Sequence, residues 1–286
     1  MTAAIFAPIK INIALHVGPL QANGFHPVDT LCVFPAIGDV LAYEPSAEPG
    51  IDFAGPFAAP LLGEDIETNL VWRAFRLLNI EPQGRLLLTK TTPVASGVGA
   101  GTADGAAAML LLNDVLELGL DAHQLIARSV GLGADGPVCI AAQIHRGGLW
   151  RARGIGERLD FEGTVEPSAI VVANPGFPVS TGDVFRAFDA GERRPLSPAQ
   201  RRKGETLAST VAATQNDLEP PAIALRPAIG SLKQAMARHP GATAARMSGS
   251  GATCYALHAS LASAQRAAVG LRRQGYWAEA SSLLAG

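Results

Sequence analysis

Between Pro93 and Asn113 the chain reads PVASGVGAGTADGAAAMLLLN, with four glycines and five alanines in the first fifteen residues and an apolar helical pattern after them. A glycine segment running into a helix suits an anion, because backbone N–H groups and the helix dipole both point at it. Two familiar phosphate loops of this kind fail on spacing. A Walker A loop needs Gly-Lys-Ser/Thr, which occurs nowhere in the chain. The dinucleotide fingerprint G-x-G-x-x-G needs glycine where Thr102 stands, and the acids that follow, Glu117 and Asp121, bracket a helix end instead of closing a second strand.

Other residues carry chemistry of their own. Lys10 and Asn12 lie in PIKIN, where Lys10 is either a solvated charge or an ammonium that stabilises developing negative charge. Asp135, between Gly133 and Gly136, is either an Asx-turn residue or a general base. The segment MSGSGAT, Met247 to Thr253, is a tight turn before a strand or a place where backbone approaches a ligand closely.

These residues need elements to hold them. IKINIALHV alternates, with Ile9, Ile11, Ile13, Leu15 and Val17 on one face, and predicts a half-buried strand. TLCVFPAIGDVLAYEP, interrupted at Pro35 and Gly38, predicts two strands, and Pro45 to Gly63 predicts hairpin loops. Thr68 is placed to cap a helix from Asn69 to about Leu78. RLLLTKTTP reads as the strand entering the glycine loop, and ADGAAAMLLLNDVLEL as the helix leaving it, stopped by Gly119. Asp121 caps a further helix, and VCIAAQ, Val138 to Gln143, reads as an apolar strand. A boundary near Gly154 divides the chain into segments 1–154 and 155–286. AIVVANPG then begins a new strand, with helices predicted at Thr181 to Ala190, Ala222 to Arg226, Ile229 to Arg238 and Leu261 to Gln274.

The ordered trio of PIKIN, the glycine loop and MSGSGAT resembles the GHMP kinase superfamily of ATP-dependent small-molecule kinases. Within it, GFHPVDTLCVF, GADGPV, NPGFPVSTGDVF and NDLEPPA are similar to the kinases that phosphorylate 4-diphosphocytidyl-2-C-methyl-D-erythritol in the non-mevalonate isoprenoid route. The resemblance implies an α+β fold of two lobes, an N-terminal ribosomal-protein-S5-domain-2-like lobe and a C-terminal ferredoxin-like one. ATP and a cytidine substrate would meet in the cleft, and Mg2+ would accompany the nucleotide.

It also implies roles. Asp135 would take the proton of the accepting hydroxyl, with Lys10 beside it. Pro93, Ser96, Gly97, Gly99, Ala100, Gly101 and Thr102 would form the phosphate loop, and Thr68, Asn69 and Leu70 would lie near the adenine. Phe25, His26 and Phe185 would grip the cytosine, while Asn12 and Thr181 would supply polar contacts. Gly249, Ser250 and Gly251 would form a closing turn. The family loop is richer in glycine and serine: Ala95, Ser96, Ala100 and Thr102-Ala103 depart from it, and Gly136 follows the base. A positive φ at position 100 would strain alanine by roughly 1 kcal/mol.

Composition narrows the rest. With 286 residues, 48% hydrophobic and 17% charged, the chain is long enough for two cores and too apolar for disorder. A net charge of −2 and one short cationic cluster, Arg201 to Lys203 with Arg193 and Arg194 upstream, argue against a nucleic-acid partner. Cys32, Cys139 and Cys254 fit no metal spacing and no disulfide framework, which predicts a reducing, cytoplasmic setting. No targeting signal or membrane anchor is read. A second copy of the chain is left open as a partner. Two rivals stand beside the main reading: a GHMP kinase for mevalonate, homoserine or a sugar, and a non-catalytic ligand sensor.

Overall fold

The computed structural model describes residues 3–94, 97–191, 195–199, 201–202 and 204–286. In chain order these form β1 (Ala3–Pro8), β2 (Ile11–Val17), β3 (Val28–Val33), β4 (Gly38–Glu44), β5 (Gly50–Ala54), α1 (Leu70–Leu78), β6 (Arg85–Thr89), α2 (Ala100–Val115), α3 (Ala122–Ser129) and α4 (Gly136–Ile144). They continue with β7 (Leu149–Gly154), β8 (Arg158–Gly163), β9 (Ala169–Asn174), α5 (Thr181–Asp189), α6 (Leu207–Ala213), α7 (Glu219–Leu225), α8 (Ala228–Ala237), β10 (Ala242–Met247), β11 (Cys254–His258), α9 (Leu261–Arg273) and β12 (Trp277–Ser282).

The chain divides into two compact units that alternate along the sequence. The first holds Met1–Ile9, Gly38–Val94 and Gly99–Arg146; the second holds Lys10–Ile37, Ala95–Val98 and Gly147–Gly286. The sequence reading places one cut at Gly154, whereas grouping by contacts exchanges segments at Lys10, Gly38 and the glycine loop.

In the first unit the sheet runs β1-β4-β6-β5, with β5 parallel to β6 and the other pairs antiparallel. Its buried face packs on α1 and α2 through Leu41, Leu86, Leu88, Phe75 and Met109. Helix α1 buries Val71, Trp72, Ala74, Phe75 and Leu78, and each of the larger side chains contributes ~1.5–3 kcal/mol when removed from water. The second unit has two antiparallel sheets, β2-β3-β7-β8 and β10-β11-β9-β12. The core beside the latter comes from Val171, Ala256, Ile229, Leu232 and Leu271.

Several local expectations change. Val138–Gln143 lies inside α4, not in a strand: Pro137 presets the first turn, where its missing N–H costs nothing. The helix is buried from Gly136 to Ala142, so no polar face marks its period. Strand β2 is buried on both faces: Asn12 and His16, on the face expected to be open, meet Thr30 Oγ1 and Ser197 O, and a register shift between Asn12 and Ala14 interrupts the alternation. Asn69, one residue after Thr68, caps α1 by accepting from Val71 N, while Thr68 Oγ1 donates to Asp65 O. The loop span 45–63 contains β5. Asp121 caps α3 through a reciprocal capping box with Gln124, as the sequence predicts.

Candidate functional site

The first unit carries the helix side of the glycine loop. Gly99, at φ +64°, is the N-cap of α2, so Ala100, Gly101 and Thr102 form its first turn. Positive φ falls on Gly97 and Gly99, and Ala100 is an ordinary buried helical residue, so the alanine strain considered from the sequence does not arise. A side chain on Gly101 would meet Leu70 Cδ1 at 3.8 Å, and one on Gly105 would meet Leu70 O at 3.0 Å. The start of α1 and the first turn of α2 are thus brought together, with Asn69 and Leu70 beside a helix N-terminus suited to anions. Pro93 enters the loop half-buried; Ser96 and Ala95 lie outside the described residues.

Asp135 also belongs to the first unit. It occupies the N-cap position of α4 but its side chain makes no capping hydrogen bond, and it is half-buried. A Cβ on Gly136 would stand 2.0 Å from Ser129 O, so the residue after Asp135 has to be glycine for packing reasons. This explains one departure from the family pattern.

Lys10 and Asn12 lie in the second unit. Lys10 Nζ donates to Asn12 Oδ1 at 2.7 Å, and Asn12 Nδ2 donates to Thr30 Oγ1 at 2.7 Å. Asn12 N donates to Ser248 Oγ at 3.0 Å, and Lys10 N to Val98 O at 3.1 Å. Lys10 is only 3% exposed, which removes the reading of it as a solvated charge. A buried ammonium with fixed partners is a preorganised positive charge.

Two glycine turns meet in this unit. A Cβ on Gly97 would lie 1.9 Å from Gly251 O, and one on Gly249 would lie 2.8 Å from Gly97 O. Only bare backbone fits there. Ser250 Oγ is 2.9 Å from Thr181 Oγ1, joining the closing turn to the start of α5.

The three aromatic residues separate. His26 and Phe185 pair with ring centroids 4.9 Å apart and planes tilted by 32°, and Phe188 meets the imidazole edge-on at 5.9 Å. His26 Nδ1 is 2.8 Å from Gly18 O and must carry the donated proton; Nε2 is 3.4 Å from Asp189 Oδ2. With both nitrogens turned to protein partners, Phe185 against the ring and only 8% of its side chain exposed, the imidazole is packed rather than open. Phe25 stands 57% exposed.

Some supporting residues have no local sequence signal of a role. Asn216 Nδ2 donates to Met247 O at 2.9 Å and to Gly249 O at 2.8 Å, bracing the turn. Arg246 donates to the carbonyls of Ile13, Val211 and Thr214. In the first unit, Lys90 joins Asp39 and Asp104 in the core. Asn216 sits in NDLEPPA and Asp104 in the glycine loop segment, but nothing in the sequence says which atoms they reach.

Residues 69–146 match the GHMP kinases N terminal domain and residues 198–276 match the GHMP kinases C terminal family. A protein of Granulibacter bethesdensis named 4-diphosphocytidyl-2-C-methyl-D-erythritol kinase is 43% identical over 260 residues, covering 88% of this chain and 84% of the relative. The chain belongs to the 4-diphosphocytidyl-2-C-methyl-D-erythritol kinase family. A crystal structure of a 4-(cytidine 5'-diphospho)-2C-methyl-D-erythritol kinase superposes with a TM-score of 0.77 at 31% identity, covering 99% of this chain and 100% of the other. A homoserine kinase from Cytophaga hutchinsonii, with a TM-score of 0.69 at 18% identity over 99% of this chain and 95% of its own, shares the GHMP kinase fold alone. Among the described residues no helix is long and apolar enough to cross a membrane.

Proposed function

We infer that this member of the 4-diphosphocytidyl-2-C-methyl-D-erythritol kinase family transfers the γ-phosphoryl of ATP to the 2-hydroxyl of 4-diphosphocytidyl-2-C-methyl-D-erythritol. The observation that carries the reading is the buried Lys10–Asn12–Thr30 chain in a family member that also retains Asp135. Phosphoryl transfer through a loose transition state asks the protein mainly for positioning and charge stabilisation. Asp135 accepts the hydroxyl proton, Lys10 stabilises charge on the transferring oxygens, and the first turn of α2 holds the phosphates with its backbone N–H groups. Phe25 would stack on the cytosine with its exposed ring, and His26 and Phe185, packed on each other, would wall the base from the side.

Magnesium fits as a companion of the nucleotide. Among the described residues no three His, Cys, Asp or Glu side chains cluster to hold a metal. Thr102 at the loop is a protein oxygen ligand of the kind Mg2+ accepts alongside phosphate oxygens and water. When bound, the ion would screen the phosphate charge.

The family matches fall on either side of Gly154, which supports an N-terminal nucleotide-binding segment, 1–154, and a C-terminal segment, 155–286. The three cysteines form no disulfide and are buried, which suits a reducing cytoplasm. Light scattering separates monomer from homodimer.

The experiment is ADP release with Mg-ATP and the cytidine substrate, run beside mevalonate, homoserine and sugars, for wild type and Asp135→Asn. Turnover confined to the cytidine compound is expected, with kcat lowered ~10²–10⁴-fold in the variant. Turnover only on a cytidine-free acceptor would discard the substrate; nucleotide binding with no turnover on any acceptor would discard the kinase for a sensor.

A further inference from the structure

We propose that Asp39, Lys90 and Asp104 form a positioning clamp that fixes both ends of the glycine loop, and that ATP affinity depends on it. The proposal rests on reading Pro93 to Thr102 as the ATP phosphate loop. All three side chains lie in the core of the first unit. Lys90 Nζ donates to Asp39 Oδ2 at 2.5 Å and to Asp104 Oδ2 at 2.7 Å. Asp39 Oδ1 also accepts from Thr91 N at 2.6 Å and Thr92 N at 3.0 Å, and its Oδ2 accepts from Thr92 Oγ1 at 2.6 Å. Thr91 Oγ1 closes the set on Gly38 O at 2.5 Å.

The topology gives these bonds their meaning. Thr91 and Thr92 are the last residues before Pro93, where the chain enters the loop, and Asp104 lies one turn into α2, where it leaves. Asp39, at the start of β4, holds the entry, and Lys90 links it to the exit. A loop with pinned ends keeps less freedom to lose when a ligand orders it, and the N–H groups of the α2 first turn stay aimed.

The chemistry of the cluster argues against a purely stabilising role. Two carboxyl groups and one ammonium are buried together in an apolar core, and a buried ionic group is often no more stable than an apolar replacement. Asp104 Oδ1 is also buried with no hydrogen-bond partner among the described residues. Burial, with Asp39 beside it, pushes the Asp104 carboxyl up to about 7. A core built only for stability has no need of such a group at this place. A loop that must not drift has.

The test measures the KM for ATP, the KM for the cytidine substrate, kcat and Tm of the full chain. Asp104→Ala is expected to raise the ATP KM about tenfold, as for loss of one charged hydrogen bond, with the substrate KM within about twofold. Asp104→Asn, which still accepts from Lys90, should restore most of the affinity. Thr92→Val, nearly isosteric and missing only the bond to Asp39, should raise the ATP KM about threefold and decides the matter if Asp104→Ala does not fold. Equal rises in both KM values, or no rise in folded variants, would overturn the clamp. Gly99→Val serves as the loop control. If it alone raises the ATP KM, the clamp falls and the loop reading stands; if Asp104→Ala, Thr92→Val and Gly99→Val all leave it unmoved, the loop reading falls too.

Discussion

In the first unit the segments around the glycine loop are tied by buried charge, with Asp39, Lys90 and Asp104 joining β4 and the segment just after β6 to α2. In the second, the closing turn is held mainly through its backbone: Asn216 donates to Met247 O and Gly249 O, Glu219 accepts from Met247 N, Ser248 accepts from Asn12 N, and glycine packs on glycine. The difference teaches where each unit is vulnerable. Charge in an apolar core responds to protonation and to loss of a partner. Backbone packed on backbone responds to a single added carbon.

The sharpest way to break this contrast is to add that carbon in each unit. Gly136→Ala puts Cβ 2.0 Å from Ser129 O inside the first unit, and Gly97→Ala puts it 1.9 Å from Gly251 O in the second. The first clash lies at a helix start and should cost ~3 kcal/mol or more of stability, read as a lower Tm. The second lies where two turns of the candidate site meet and disrupts no helix start, so turnover should collapse with a smaller change in Tm. Equal Tm losses would remove the distinction.

Asn216→Ala comes next in size. It unpairs a buried carbonyl, Met247 O, and a partly buried one, Gly249 O, at about 1–3 kcal/mol. Steady-state kinetics should show a raised KM for the cytidine substrate and an ATP KM within twofold; the reverse pattern would assign the turn to the nucleotide.

A pH series sharpens the same comparison. The Asp104 carboxyl is raised from 3.8 to about 7 in the folded chain, mainly by burial. The folded state therefore keeps a proton that the unfolded state releases as pH climbs between those values. This contribution to stability is complete below the unfolded pKa and is lost as pH rises through the folded one. Urea midpoints of wild type should fall relative to Asp104→Asn from about pH 4 to about pH 7, then run parallel. Parallel curves throughout would mean Asp104 is ionised in the fold.

The smallest effect is expected at Phe25. Because its ring is exposed, Phe25→Ser should change stability by no more than ~0.5 kcal/mol while raising the KM for the cytidine compound. A large loss of Tm would make it a packing residue.

Much of the site is legible in the chain because its signals are local. The glycine loop, the Lys10–Asn12 pair, the turn at Asp135 and the capping box at Asp121 each depend on residues a few positions apart, where backbone sterics and helix ends act directly. VCIAAQ misleads for the same reason: a short apolar run carries no period once every face is buried, and only packing chose helix over strand. The alternation of IKINIALHV was readable, but partners distant in sequence covered the polar face of β2 as well.

The sequence by itself determined the family, the turns that require glycine and the residue types available for phosphoryl transfer. The tertiary structure alone decided which backbone atoms Asn216 and Arg246 reach, that Lys10 is buried rather than solvated, and that Lys90 holds two carboxylates from separate elements. Those outcomes depend on groups up to 236 positions apart, as for Asn12 and Ser248. Such pairs meet only because burying apolar faces brings the strands and helices together, and a buried polar atom must then bond to whatever the packing has placed beside it.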